Sequence, residues 1–317
     1  MKTFLMISIT LSCSLFMAAC IPSLQAPASP DTAIPVDPAP DNSTPLEAGT
    51  WRLQRTHDGV DRYLYLYIPT DLPNGDIPLL TSFHGFNSTA DNQMNSDGFK
   101  ALADQEKFVV AWVQGSQGDR SWNIGKSGCL GQANENNIDD IGLVKQFVTQ
   151  IKERVATPSY NIDDKRVYAY GHSNGGGLVH SLGKQANDVF AAIAPASFPV
   201  AVDGISPFNP VSVIHFHGDN DKTNKYDGGA VDFGQCEYSS APASQENWKT
   251  YNGCIGEPII DNSIASTRCE TYTSCNEGKQ TRLCTIIGGG HDEEAWGIDV
   301  AGIAWGFMSS FQCESCE

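Results

Sequence analysis

Val167-Tyr168-Ala169-Tyr170-Gly171-His172-Ser173-Asn174-Gly175-Gly176-Gly177 is the stretch on which the reading of this chain turns. Its first half is β-branched, aromatic and apolar. Its second half carries G-x-S-x-G, from Gly171 to Gly175, and a helix is predicted from there to about Asn187. A serine on a sharp strand-to-helix turn sits in strained backbone. Its neighbours two residues away on either side must be small for the chain to fold back. The turn lifts Oγ clear of the sheet and aims the first N–H groups of the helix at any developing oxyanion. Ser173 is therefore the candidate nucleophile.

Around this turn strands and helices alternate. Arg62 to Ile68, Pro78 to Phe83, Phe108 to Val113, Arg166 to Tyr170, Phe190 to Ala194, Val211 to Phe216 and Thr281 to Ile287 are predicted strands. Between and after them, helices are predicted over Asp97 to Lys107, Glu246 to Asn252 and Val300 to Phe311. Ile141, Val144, Phe147, Val148, Ile151 and Val155 recur at three- and four-residue spacing and mark another helix, behind an acidic start at Asp139-Asp140. Such alternation builds βαβ units and a mostly parallel sheet with helices on both faces. No internal repeat or second linker interrupts it, so residues 49–317 are expected to form one α/β catalytic domain.

A serine nucleophile needs a base, and the base an orienting acid; on this architecture they follow in the order serine, acid, histidine. Four histidines lie downstream: His180, His215, His217 and His291. His180 falls inside the helix after Ser173. His215 and His217 stand two apart on one strand with no third ligand at a metal-binding spacing, so neither a metal nor a cofactor is expected. His291 follows a strand and the run Gly288-Gly289-Gly290, where such a base belongs. The acid should follow the strand ending at Phe216. There His217-Gly218-Asp219-Asn220-Asp221 offers Asp219 and Asp221, and composition does not choose between them. A second oxyanion N–H usually comes from the loop after an early strand, here Ser82 to Asn87, so the expected backbone donors are Phe86 and Asn174.

Taken in order, Phe83-His84-Gly85, Ser121-Trp122-Asn123, Asp139-Asp140, Gly171 to Gly176, His217 to Asp221 and Gly288-Gly289-Gly290-His291 resemble the secreted esterases of the polyhydroxybutyrate depolymerase and feruloyl esterase group. The resemblance runs from about Thr56 to Ile298. It implies an α/β-hydrolase fold and a cofactor-free serine esterase. The implied substrate is a plant phenolic or acetyl ester, or a hydroxyacyl oligomer. That family's acid closes an H-G-x-x-D pattern, which falls on Asp221. The resemblance makes Trp122 a pocket wall, with a buried core aromatic as the alternative; His84 and Trp296 are further candidates for substrate contact. It also favours a Cys254–Cys275 disulfide. Two departures touch the pocket rim: Phe86 stands where the family usually has Cys, and Asp292-Glu293-Glu294-Ala295-Trp296 where it usually has Trp-Pro.

The N-terminus speaks to compartment. Met1-Lys2, an apolar stretch from Phe4 to Ala19 and small residues before Cys20 make residues 1–19 a secretory signal. Met17-Ala18-Ala19-Cys20 resembles a bacterial lipobox, which would leave Cys20 as the lipidated first residue; ordinary cleavage after Ala19 is the alternative. Seven of the 17 prolines fall between Ile21 and Pro45, so 20–48 is expected to be a semi-rigid tether. The expected protein is exported, either as a cell-envelope lipoprotein or secreted, and touches a membrane only through that anchor. Without Cys13 and Cys20 eight of the 10 cysteines remain, an even number that suits a disulfide framework. Cys269 with Cys284 is the second expected pair, from neighbouring strand segments.

With 20 Lys+Arg against 37 Asp+Glu, a net charge of -17, the chain carries no basic run for nucleic acid. Its apolar fraction of 40% is too high for a disordered chain. Two alternatives stand beside the esterase: a peptidase or other acyl hydrolase on the same fold, and a catalytically silent lipoprotein that binds a glycan or polyester.

Overall fold

The computed structural model describes residues 34–37, 44–125, 130–201, 209–230 and 237–316. The expected signal segment, Cys20, Cys129 and Cys236 lie outside the described residues.

The strands are β1 (Gly49–His57), β2 (Val60–Ile68), β3 (Gly75–Phe83), β4 (Val109–Val113), β5 (Tyr160–His172), β6 (Ala192–Ala196), β7 (Ser212–Gly218), the short β8 (Gly229–Ala230) and β9 (Glu237–Tyr238), β10 (Ile259–Asp261), β11 (Thr267–Tyr272) and β12 (Thr281–Ile286). The helices are α1 (Ala90–Ser96), α2 (Phe99–Glu106), α3 (Gly131–Glu135), α4 (Asp140–Val155), α5 (Asn174–Gln185), α6 (Ala241–Tyr251) and α7 (Val300–Met308). Ten strands form one sheet in the order β1-β2-β4-β3-β5-β6-β7-β12-β11-β10. Its centre, from β4 to β12, is parallel, and antiparallel pairs close both ends. This is the α/β-hydrolase architecture that the alternating pattern implies.

The central strands are buried on both faces, which is why they are continuous apolar runs in sequence. Alternate residues serve opposite layers. Leu79, Val109, Val167, Ile193 and Val213 pack with Leu143, Phe147 and Ile151 of α4 and Leu178 and Leu182 of α5. Leu80, Val110, Tyr168, Ala194 and Ile214 pack with Phe99 of α2 and Ala304, Trp305 and Met308 of α7. The acidic start of α4 is functional as a cap: Asp139 Oδ1 accepts from Gly142 N–H at 2.8 Å.

The edges depart most from expectation. β1 is not marked by its sequence, because it is half-exposed and Arg52, Gln54 and Arg55 break its apolar pattern. Nor does the compact unit begin at residue 49: it runs from Ile34 to Glu317. Val36 forms a parallel bridge with Arg52 on β1, where Arg52 N–H donates to Pro35 O and Asp37 N–H to Arg52 O, both at 2.9 Å. Asp37 then meets the Arg154 guanidinium of α4 in a bidentate pair at 2.7 and 2.6 Å, both side chains about 4% exposed. Arg154 Nη1 also donates to Thr44 O at 2.8 Å. Residues 35–37 and Thr44 of the expected tether are therefore docked on the domain. Proline content foretells an extended chain but not whether one aspartate on it finds a buried partner.

Cys269 and Cys284 face each other across β11 and β12 and are disulfide-bonded. Cys254 is bonded to Cys275, and Cys313 to Cys316.

Removing one member of a buried ion pair strands the other charge. Asp37→Ala should cost about 3–5 kcal/mol of unfolding free energy in urea titration. An unmoved midpoint would show that the arm does not brace α4.

Candidate active site

Ser173 stands between β5 and α5 with φ 54° and ψ −124°, outside the regions that L-residues prefer. The flanking glycines explain how the chain tolerates it. A Cβ at Gly171 would lie 2.5 Å from Gly175 O. One at Gly175 would lie 2.2 Å from Phe83 O, at the end of β3. One at Gly176 would lie 2.6 Å from Ala196 O, and Ala196 also accepts Ser173 N–H at 2.9 Å. Backbone meets backbone at each crossing, so no side chain could yield.

His291 follows β12 across the glycine loop. Its Nε2 lies 2.9 Å from Ser173 Oγ, and its Nδ1 lies 2.8 Å from Asp221 Oδ2. The loop after β7 supplies both aspartates, and the geometry separates them. Asp221 Oδ1 accepts Thr223 N–H at 2.8 Å and Asn224 N–H at 2.9 Å, which leaves Oδ2 for His291. Asp219 instead accepts Gly288 N–H at 2.6 Å and pins the glycine loop. Burial works against the charge on Asp221. The His291 contact, the Asn224 N–H and His217 outweigh it and hold the carboxyl below its ordinary value.

Gly85 brings the loop after β3 against the serine: a Cβ there would lie 3.3 Å from Ser173 Cβ. Phe86 follows it, 40% exposed, in the same cleft. Asn174 is the first residue of α5, where backbone N–H groups have no intrahelical acceptor. Its side chain is engaged elsewhere: Oδ1 accepts Trp122 N–H at 2.7 Å.

The three expected substrate-contact residues lie behind the cleft wall. Trp122 is fully buried, edge-on to Phe83, with its Nε1 donating to His84 O at 2.8 Å. His84 is fully buried; Nδ1 donates to Gly85 O at 2.7 Å and Nε2 accepts Gly115 N–H at 2.9 Å. Burial pulls its pKa down to about 4, so it is a neutral clamp on the Phe86 loop. Trp296 is buried with its Nε1 donating to Gly290 O at 2.9 Å, next to His291. Large aromatic surface next to a site is more stable packed than wet, and all three position loops rather than line the cleft.

Two residues the sequence did not single out hold His291 from the other side. His172 Nε2 and Ser197 Oγ each donate to the His291 carbonyl at 2.9 Å. His172 is the variable residue of G-x-S-x-G, so the motif offers no signal for it. The His215 and His217 rings are buried and contact each other at 3.2 Å, and His217 Nε2 donates to Asn224 O at 2.7 Å. They back the Asp221 loop. Elsewhere, His57, Asp58 and Asp139 place one ligand atom each within 4.8 Å of one another, the one such group among the described residues.

The cleft over Ser173 and His291 measures about 780 Å³. One wall carries Ser88, Asn92, Gln93 and Asn95, the other Asp292, Glu293 and Glu294. Beneath it, Asp97 is half-buried, accepting from Ser82 Oγ at 2.8 Å, Trp112 Nε1 at 2.7 Å and Phe99 N–H at 3.1 Å. Nearby the Tyr170 hydroxyl donates to the Glu293 carboxylate.

A parallel sheet with a strained serine on its central strand-to-helix turn, and histidine and carboxylate arriving from later strand-end loops, defines an α/β-hydrolase. A family profile described as Esterase PHB depolymerase matches residues 63–244, and the chain belongs to that family. Feruloyl esterase B of Piromyces equi is 32% identical over 244 residues, 74% of this chain and 42% of that protein. The bifunctional acetylxylan esterase/xylanase XynS20E of Neocallimastix patriciarum is 29% identical over 265 residues, 81% of this chain and 34% of that protein. The chain thus spans less than half the length of either relative. The acetyl xylan esterase structure from Aspergillus awamori shares the fold at TM-score 0.60 and 15% identity, over 81% of this chain and 99% of its own.

Burial pushes Asp97 up to about 7, against its three hydrogen bonds, from an ordinary 3.8. The folded state therefore holds this proton more tightly than the unfolded chain. The stability it contributes is complete below about pH 4 and is lost as pH rises through about 7. Asp97→Asn should remove that slope: between pH 5 and pH 7.5 the wild type should lose about 2.5 kcal/mol relative to the variant. Parallel melting curves across the range would sink the assignment.

Proposed function

We propose that this protein is an exported serine carboxylic-ester hydrolase that cleaves acyl groups from hydroxyl-rich alcohols, through Ser173, His291 and Asp221. The observation that carries the reading is the continuous hydrogen-bonded line from Asp221 Oδ2 through both His291 nitrogens to Ser173 Oγ, ending in an open cleft.

In this reading His291 Nε2 takes the proton from Ser173 Oγ as the oxygen attacks the ester carbonyl. Asp221 fixes the imidazole tautomer and stabilises the imidazolium. The N–H groups of Asn174 and Phe86 bind the tetrahedral oxyanion, each contributing about 3 kcal/mol. His291 returns the proton to the departing alcohol. A water, activated by the same imidazole, then frees the acid and regenerates Ser173. All groups come from the chain, so the step calls on no cofactor.

Two features support a polysaccharide ester over an apolar polyester. The cleft walls carry amides, hydroxyls and carboxylates, which suit a sugar alcohol. The relatives named for feruloyl and acetylxylan esters match over most of this chain. Carboxylates at Asp292, Glu293 and Glu294 also favour departure of the carboxylate product by like-charge repulsion. Export with a lipid on Cys20 belongs to the same proposal and rests on the N-terminal sequence.

A panel of nitrophenyl acetate, methyl ferulate, acetylated xylan and hydroxybutyrate oligomers tests the reading. Wild type should turn over the sugar-linked or small esters. Ser173→Ala and His291→Ala should each lower kcat by about 10⁴-fold or more, and the double variant should be little worse. No fluorophosphonate adduct on Ser173 in the folded protein would reject it.

A further inference from the structure

A second cleft, of about 500 Å³, opens on the other side of the Phe86 loop. It is within the usual size of a small-molecule site. Its charge is opposite to that of the cleft over Ser173. Three of the chain's eight arginines line it, Arg52, Arg62 and Arg120, with Asp61 the single lining carboxylate. In a chain of net charge -17 that concentration needs a physical reason.

Arg62 has its own partner. It is buried on β2 against Asp140, at 2.9 Å, and its Nε has no hydrogen-bond acceptor among the described residues. Arg52 and Arg120 differ: among the described residues neither has a carboxylate within 4.0 Å, while Arg154, Arg166 and Arg268 each do. Both are nonetheless held in place. The Arg52 guanidinium lies over the Tyr63 ring, 4.1 Å from its centroid, and its Nη2 and Nε donate to the Gln54 amide oxygen at 3.1 and 3.3 Å, an exposed neutral acceptor whose place a carboxylate can take. Arg120 donates to Asn87 O from Nη2 at 2.7 Å and from Nε at 3.2 Å, and also from Nη2 to Asn87 Oδ1. Both also reach Tyr63 electrostatically and pull its phenol down, against the burial that raises it overall. Two guanidiniums thus line one cleft beside Tyr63, with Asp91 acting on the same phenol in the opposite sense. Around them Gln54, Thr89 and Gln117 offer amide and hydroxyl groups.

We propose that this second cleft binds the carboxylate of a uronic acid on an oligosaccharide whose ester lies in the cleft over Ser173. The inference rests on the esterase reading for the second half of that statement only. A planar guanidinium pairs with a planar carboxylate through two parallel hydrogen bonds, and arginines fixed before binding lose little freedom on contact. The loop Phe86 to Thr89 separates the clefts, with Ser88 facing one and Thr89 the other. The acidic wall of Asp292, Glu293 and Glu294 repels a uronate from the reacting end, and Arg52 and Arg120 receive it here. The arrangement sets the direction in which an acidic glycan lies across the site.

The test is calorimetric, on the whole protein carrying Ser173→Ala so that ligand survives. The probes are xylotriose bearing one glucuronic acid, its carboxyl-reduced counterpart bearing glucose, and inorganic phosphate. The acidic probe should bind about tenfold more tightly than the reduced one at low salt, and the gap should narrow to about threefold or less at 0.5 M salt. Adding Arg52→Gln or Arg120→Gln should abolish the preference, and Arg52→Lys should restore only part of it. Equal binding of the two sugars, a preference that survives both glutamine variants, or phosphate binding as tightly as the acidic sugar would each overturn the proposal. The sugar pair is read on an intact cleft, so the result stands whether or not a substituted variant folds. Turnover of nitrophenyl acetate by the unsubstituted protein is scored separately: its absence rejects the esterase reading and leaves the carboxylate preference measured on its own.

Discussion

The backbone of Ser173, held at φ 54° and ψ −124°, is the constraint around which the neighbouring chain is arranged. Such a conformation costs on the order of 1–3 kcal/mol and persists only where surrounding structure over-determines it. Here the start of α5 is pressed against the ends of β3 and β6 with no side chain between them at Gly175 or Gly176. Gly85 likewise comes against the serine, with Phe86 in the same cleft. Ser173 and the loop after β3 are therefore one rigid contact, and His84 locks it from behind through Gly85 O.

The buried and half-buried carboxylates of this acid-rich chain act as fasteners, and neighbouring acids divide the work. Asp139 caps α4 while Asp140 accepts from Arg62 and from Asn123 N–H at 2.8 Å. Asp219 holds the glycine loop while Asp221 faces His291. Acidity is thus spread over two roles. Exposed carboxylates set the long-range field, and buried ones fix loops by accepting backbone N–H groups that would otherwise be unsatisfied.

The central architecture was legible because parallel strands buried on both faces are apolar runs bounded by turns, and β3 to β7 with β12 all have that form. Ser173 and His291 were legible from glycine spacing, since only a few backbone paths admit Gly171, Gly175 and Gly288 to Gly290 at those places. The choice of Asp221 over Asp219 came from resemblance alone; the physical discriminator is which carboxylate accepts Gly288 N–H, a three-dimensional fact. His84, Trp122 and Trp296 were expected at the cleft and lie behind it, because sequence shows that an aromatic is near a site but not which way it points. His172 and Ser197 went unnoticed since a hydrogen bond to a carbonyl more than 90 residues away leaves no local pattern. The arm from Ile34 to Asp37 was hidden by proline content, which describes stiffness and not attachment.

Open sheet edges recruit other chains through their free N–H and C=O groups. Both main-chain groups of Arg52 on the outer strand β1 are occupied by Pro35 and Asp37, so the arm seals that edge at its middle. At the far edge β10 is three residues long and carries Ile259 and Ile260 in the open. Of the two rims, the one nearer the chain's beginning is guarded by the chain itself. Cutting the polypeptide after Asp37 would leave a strand ready to pair with a copy of itself, so the arm doubles as a safeguard against self-association.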